Sequence, residues 1–240
     1  MKKNLFFLLI VVVSMFTTIS FTSCGGDDDN DNTPSDGGSD MTEVGRAAVA
    51  VDLGLPSGTK WADRNVGATT KSDAGDYFAW GETSTKSDYD WSTYKYGNAY
   101  NKLTKYCTNS SYGKDGFTDN KTELVLDDDV AHKEWGGSWR MPSKEQFEEL
   151  EANTTSEFTT VNNVKGYLFT ASNGNSIFLP AAGGRYGTSL YLAGSNAEFW
   201  SRTLNADGPG DAYGLDFYSS DPGVDYGGRW CGHTVRPVRP

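Results

Sequence analysis

The chain has 240 residues, 37% apolar and 13% aromatic, which is enough to bury one core and too short to require a second large domain. Its net charge is -11, and it becomes two units more negative if a leader carrying Lys2 and Lys3 is removed. That balance excludes nucleic acid and anionic lipid headgroups as partners of the surface at large, because phosphate recognition demands clustered Lys and Arg.

Lys2 and Lys3 precede an apolar run from Leu5 to Phe16 in which only Ser14 is polar. A charged start and a run shorter than the about 20 residues of a spanning helix form the pattern of a secretory leader. The run closes on Phe21-Thr22-Ser23-Cys24, which resembles a bacterial lipoprotein box, with small residues before a Cys that becomes the acylated first residue. An ordinary secretory leader with an incidental Cys is the alternative. Acyl burial at about 0.8 kcal/mol per methylene would make a multiply acylated Cys24 a stable membrane anchor. Residues 25–40, GGDDDNDNTPSDGGSD, are acidic and almost free of apolar groups, so they read as a flexible tether. Asp27-Asp28-Asp29 after Cys-Gly-Gly resembles the export signal of surface lipoproteins in the Bacteroides group, and a solvated linker without an address is the other reading. The expected division is a leader over 1–23, a lipidated Cys and tether over 24–43, and a folded domain over 44–240 on an outer-membrane, cell-surface lipoprotein.

Within the domain, Val49, Val51 and Leu53 alternate with Ala50, Asp52 and Gly54, a half-buried strand pattern. Leu55-Pro56-Ser57-Gly58 suits a tight turn, and Lys60 to Val66 returns as a second strand. Tyr77 to Glu82 is a short aromatic run expected to pack inward. Thr83 to Thr122 has no sustained period and reads as a long, surface-lying insertion. Asp127 to Glu134 suits a short helix with acids at its positive end. Ser143 and Gln146 form a capping box, so a helix is predicted over 144–152 with Phe147 and Leu150 buried. Asn173-Gly174 between two apolar runs predicts a hairpin with a two-residue loop, which sets Phe169 opposite Phe178 and Leu168 opposite Leu179, centrally in a sheet.

The C-terminal end, from Glu198 to Pro240, mixes Trp, Tyr and Phe with Gly, Asp and Ser, then closes on the apolar and Arg alternation Thr234-Val235-Arg236-Pro237-Val238. Strands are predicted at Phe199-Trp200-Ser201 and over 212–218. In the second, Tyr213, Leu215 and Phe217 share the core face, leaving Asp216 and Tyr218 outward. Trp200, Val235 and Val238 are expected to hold the core with them.

Several motifs follow one another in order: DLGLPSGTKWADRNVGA, WGGSWRMPSKEQFEEL, FLPAAGGR, FWS, AYGLDF and GHTVRPV. Together they resemble the Fibrobacter succinogenes major paralogous domain of secreted and lipid-anchored proteins, over about Val49 to Val238. The resemblance implies a C-type-lectin-like fold of the formylglycine-generating-enzyme type: α+β, with twisted antiparallel strands, one or two short helices and long loops. The helix motif of that superfamily has Arg, an apolar residue, Pro and Thr before a Glu-rich helix; here Ser143 replaces the Thr. The same fold carries the variable proteins of diversity-generating retroelements, whose ligand-binding residues lie in the C-terminal segment.

Catalytic patterns are sparse. Copper-dependent formylglycine generation needs a pair of nearby Cys residues, whereas Cys231 stands alone near the end and Cys107 sits in the insertion. A disulfide between them, two buried thiols and a catalytic Cys231 are the three readings. His132 and His233 fit no metal spacing, and neither a G-x-S-x-G elbow nor a phosphate-cradling Gly loop is present. Asn205, Asp207 and Asp211 offer oxygen ligands to calcium without a twelve-residue loop pattern, so no cofactor is expected, with calcium left open. The candidate ligand-binding residues are Arg202, Asp207, Asp216, Tyr218, Asp225, Tyr226, Trp230 and His233, placed outward or in loops by the alternation. Tyr and Trp give rigid contact area, and paired acids can accept from sugar hydroxyls. The expected function is a non-catalytic, surface-anchored binding module for a glycan, peptide or protein. A structural or adhesin subunit of a surface assembly is the alternative, and an oxidase of the formylglycine-generating type comes last.

Overall fold

The opening alternation folds as an antiparallel pair, β1 (Ala50–Asp52) and β2 (Lys60–Ala62), in the computed structural model, which describes residues 40–217 and 222–240. Gly58 N donates to Leu55 O at 2.9 Å and Gly58 has φ of 76°, so the turn between them needs glycine. The last strand, β11 (Val238–Arg239), pairs with the free side of β2. A helix not expected from the sequence, α1 (Glu43–Ala47), crosses the predicted domain boundary at residue 44. Thr42 caps it and also ties it to α2 (Val130–Trp135), since Thr42 N donates to Trp135 O at 2.9 Å.

The segment over 83–122 is not surface-lying. Tyr89, Tyr94, Tyr96, Leu103, Tyr106 and Cys107 within it are buried. Tyrosine rings bury at little cost once each hydroxyl finds an acceptor. Here Tyr96 and Tyr106 donate to the Asp128 carboxylate at 2.5 and 2.6 Å, and Tyr94 donates to Trp80 O at 2.8 Å. The acids before α2 therefore do more than favour a helix dipole. Asp129 caps α2, holds Arg140 Nε at 2.8 Å and accepts from Met141 N at 3.0 Å, all while fully buried.

The capping box forms as predicted: Gln146 N donates to Ser143 Oγ at 3.2 Å and Ser143 N to Gln146 Oε1 at 2.9 Å. It starts α3 (Lys144–Asn153), which buries Phe147 and Leu150. An unpredicted strand, β3 (Thr154–Val161), follows directly and pairs with β4 (Val164–Ala171) through Asn162 and Asn163, both at positive φ. The two-residue loop is thus here, and the Asn173-Gly174 loop is one residue longer. Ala171 N bonds to Asn175 O, Gly174 takes φ of 84°, and the register to β5 (Ser176–Pro180) becomes Phe169 opposite Ile177 and Leu168 opposite Phe178. In that sheet β4 is central and β5 lies at the edge.

After the small pair β6 (Gly184–Tyr186) and β7 (Ser189–Tyr191), the chain builds a third sheet in the order β10-β9-β8, from β8 (Ala197–Leu204), β9 (Asp211–Phe217) and β10 (Gly223–Gly228). The architecture is α+β, with few helices and several antiparallel sheets. Trp61, Trp80, Trp135, Trp139 and Trp200 are fully buried at its centre, with Val235 and Val238.

Candidate functional site

The register of the third sheet decides which side chains meet. Glu198 lies opposite Asp216 and Trp200 opposite Gly214, while Asp216 faces Gly223 and Gly214 faces Asp225 across the other ladder. Directly opposed residues share a face, so three acids and one Trp stand over a surface that Gly214 and Gly223 leave bare. A Cβ at Gly214 would meet Phe199 O at 2.5 Å, so the position admits no side chain without a shift. The result is a hollow of about 70 Å³ that Asp216, Glu198 and Asp225 line together with Tyr226, Gly227 and His233. A liquid water occupies about 30 Å³, so the hollow takes the tip of a ligand and not a whole sugar ring.

His233 is buried, not outward as the alternation suggests, because Thr234 N and O both bond to β8 and pull the segment inward. Its ring stacks on Trp200 at 4.1 Å, and its Nε2 lies 2.6 Å from Glu198 Oε2. Tyr186 Oη donates to the same carboxylate at 2.7 Å. Asp216 has a carboxyl pushed up to about 6, first by burial and then by the carboxylates of Asp225 and Glu198, against a smaller opposing pull from His233. Glu151 at the end of α3 is pushed up to about 7, by burial and then by Glu148 and Asp216. Near neutral pH this part of the sheet holds carboxyls poised between donor and acceptor, able to bond hydroxyl or N–H groups of a ligand.

The remaining candidates divide. Asp225 and Tyr226 are exposed at the hollow, Tyr226 at 56%, with its ring edge-on to Tyr213 at 6.0 Å. Tyr213 is accordingly only half-buried, in contrast to the expected core role that Leu215 and Phe217 do fill. Trp230 packs against Tyr186 at 6.0 Å and lies outside the hollow. Asp207 is exposed in the bend before β9. Arg202 is far from the acids in its contacts: Nε reaches Glu123 at 3.1 Å and Nη1 bonds Met141 O and Gln146 Oε1 at 2.9 and 3.0 Å. Tyr218 and Cys24 lie outside the described residues. Glu198 and Tyr186 were not among the sequence candidates; Glu198 alternates with Trp200, but its opposition to Asp216 depends on a long-range register that the local pattern does not carry.

Cys107 and Cys231 are both free and buried, so of the three readings it is the two buried thiols that the structure shows, and the disulfide is not formed. Burial, with Glu198 and Asp211, pushes the Cys231 thiol far up. No group of three or more His, Cys, Asp or Glu able to hold a metal occurs among the described residues. No helix among them is long and apolar enough to cross a membrane. Comparison of the chain with protein families, with curated proteins and with solved structures returned no match.

Proposed function

We propose that the protein is a surface-anchored lipoprotein whose C-type-lectin-like domain binds a glycan, peptide or protein through the C-terminal segment, without catalysis. The observation that carries this reading is the hollow over β8 to β10, where Glu198, Asp216 and Asp225 converge on a face cleared by glycine, with Tyr226 exposed at its rim and its ring turned to Tyr213 on the other face. A raised carboxyl in a concave site is a functional signature with a physical basis, since the fold gains nothing from burying it. The α+β class agrees with the resemblance drawn from the ordered motifs. A thiol held protonated at Cys231 favours binding over Cys-based oxidation, which needs thiolate. The lipid on Cys24 and the outer-membrane address rest on the leader and the acidic tether alone.

The test is a glycan and protein array probed with the full chain and with the pair Asp216→Ala and Tyr226→Ala. Signal that the double variant loses supports the reading, and signal that it keeps locates binding elsewhere. Metabolic labelling with palmitate, abolished by Cys24→Ser, checks the anchor. One observation favours the adhesin reading as a second: Leu190, Tyr191 and Leu192 stand 44, 50 and 58% exposed at the β7 hairpin, an apolar tip suited to another protein. Crosslinking to envelope proteins through that tip would support it.

A further inference from the structure

Arg202, held away from the acidic hollow, lines a second groove that gathers cations in an acidic protein. Arg140 and Val238 exchange backbone hydrogen bonds at 2.9 Å, and Arg202 N donates to Pro142 O at 2.8 Å, so three distant segments run side by side. Arg140, Arg202 and Arg239 all line one open groove of about 550 Å³, with Ser138 and Gln146 also in its wall. Two of the guanidinium groups are anchored from behind, Arg140 by Asp129 at 2.8 Å and Arg202 by Glu123 at 3.1 Å. Arg140 Nη1 and Arg202 Nη2 keep donors that no protein acceptor takes among the described residues.

Arg239 is different. It lies over the Trp139 ring at 5.0 Å, and the β11–β2 register sets it directly opposite Lys60. Because Val238 and Trp61 fill the buried face of that pair, Arg239 and Lys60 share the open one. Among the described residues neither has a carboxylate oxygen within 4.0 Å. Of the nearby acids, Asp129 and Glu123 are already engaged, Glu149 is held by Ser57 at 2.6 Å, and Asp52 faces Lys60 from the β1 side. Asp52 on the same face offsets the charge of Lys60, which leaves Arg239, at the far side of the row, as the cation without a directly opposed acid.

We propose that this groove is a second binding site, which takes a sugar-sized ligand by an oxyanion, a carboxylate or sulfate group, on Arg239, with Arg140 and Arg202 lining the groove along which the rest of the ligand lies. Planar guanidinium forks match such groups in bidentate fashion. The groove falls within the about 300 to 1,000 Å³ of small-molecule sites, and its hydroxyl and amide side chains suit a polyhydroxy body. The overall negative charge does not forbid this, because screening over about 8 to 10 Å lets the local cations set the field in the groove.

Calorimetric titration of the full chain with glucuronate, inorganic sulfate and glucose tests the proposal. Glucuronate should bind and sulfate should compete with it, while glucose gives no heat. Arg239→Gln should weaken glucuronate by about tenfold or more. Lys60→Gln, on the opposing strand, should weaken it in the same direction, and added salt should weaken the parent protein more than either variant. Asp216→Asn should leave it unchanged, which separates this site from the acidic hollow. Melting curves of each variant show whether it is folded, and glucuronate should raise the melting temperature of the parent but not of Arg239→Gln. Glucose binding as tightly as glucuronate, unchanged affinity in both folded variants, or no binding of any probe would overturn the proposal. Sulfate binding without glucuronate binding would overturn its saccharide part, leaving an adventitious ion only.

Discussion

Asp216 carries its proton to about pH 6 in the folded protein, against an ordinary value of 3.8. Its folded form therefore binds the proton more tightly than the unfolded chain does, so the stability it contributes is fully present below about pH 4 and is lost as pH rises through 6. At pH 7.5 the ionised carboxylate opposes folding. Asp216→Asn should raise stability there by about 1 to 2 kcal/mol, discounted for solvent screening, and change it little at pH 4. Urea unfolding at both pH values measures this, and a gain of equal size at pH 4 would contradict the electrostatic cause. The same variant should lose the array signal if the hollow is the site, a trade of function for stability. Tyr226→Ala separates the two effects from the other side: with its ring mostly in solvent it should cost within about 0.5 kcal/mol while weakening binding.

At the scale of elements, contacts between residues close in sequence are legible and long-range registers are not. The α3 cap is a contact between residues three apart, so Ser143 and Gln146 announce it. Ser143→Ala should cost about 1 kcal/mol, measured by urea unfolding with the slope unchanged. The hairpins show where local reading ends. Asn173-Gly174 identified the turn, but the loop closes on Asn175, so every cross-strand pair moved by one residue. Asn162-Asn163, which carries the two-residue loop, lacks the glycine that usually marks it, and β3 passed unread because Thr154 to Val161 leaves one face polar and exposed. Gly174→Ala tests the turn: with φ of 84° and nothing within 4 Å of the added methyl, the cost is backbone strain alone, about 1 kcal/mol. The acidic hollow follows the same division. Asp216, Asp225 and Tyr226 were visible as an alternation, whereas Glu198 and the burial of His233 required partners tens of residues away.

Over the whole molecule, two buried arginines join segments that no local pattern connects. Arg229 donates to Tyr94 Oη at 2.9 Å, Tyr106 O at 3.0 Å, Pro209 O at 2.8 Å and Lys105 O at 3.0 Å, which stitches the long tyrosine-rich insertion to the end of β10. Arg236 donates to Asn65 Oδ1 at 2.7 Å, Ala62 O at 3.1 Å and Phe178 O at 2.8 Å, joining the first sheet to β5. Burial lowers its proton affinity to about 9, so the charge is retained at neutral pH and the full donor fork with it. The two arginines at the end of the chain part company: Arg236 is fully buried and Arg239 lies partly open in the groove. Replacing Arg236 by Gln shortens the side chain and strands up to three buried acceptors, each worth about 1 to 3 kcal/mol when left unpaired and partly recovered by relaxation. Arg236→Gln should therefore lose about 3 to 5 kcal/mol in urea unfolding, a large part of the about 5 to 15 kcal/mol that holds a domain together. Arg239→Gln, three residues later, should lose no more than about 1 kcal/mol, since it strands no acceptor and gives up only the contact with the Trp139 ring. Equal losses in the two variants would mean that the C-terminal arginines act alike, and would remove the basis for assigning one to the fold and the other to a ligand.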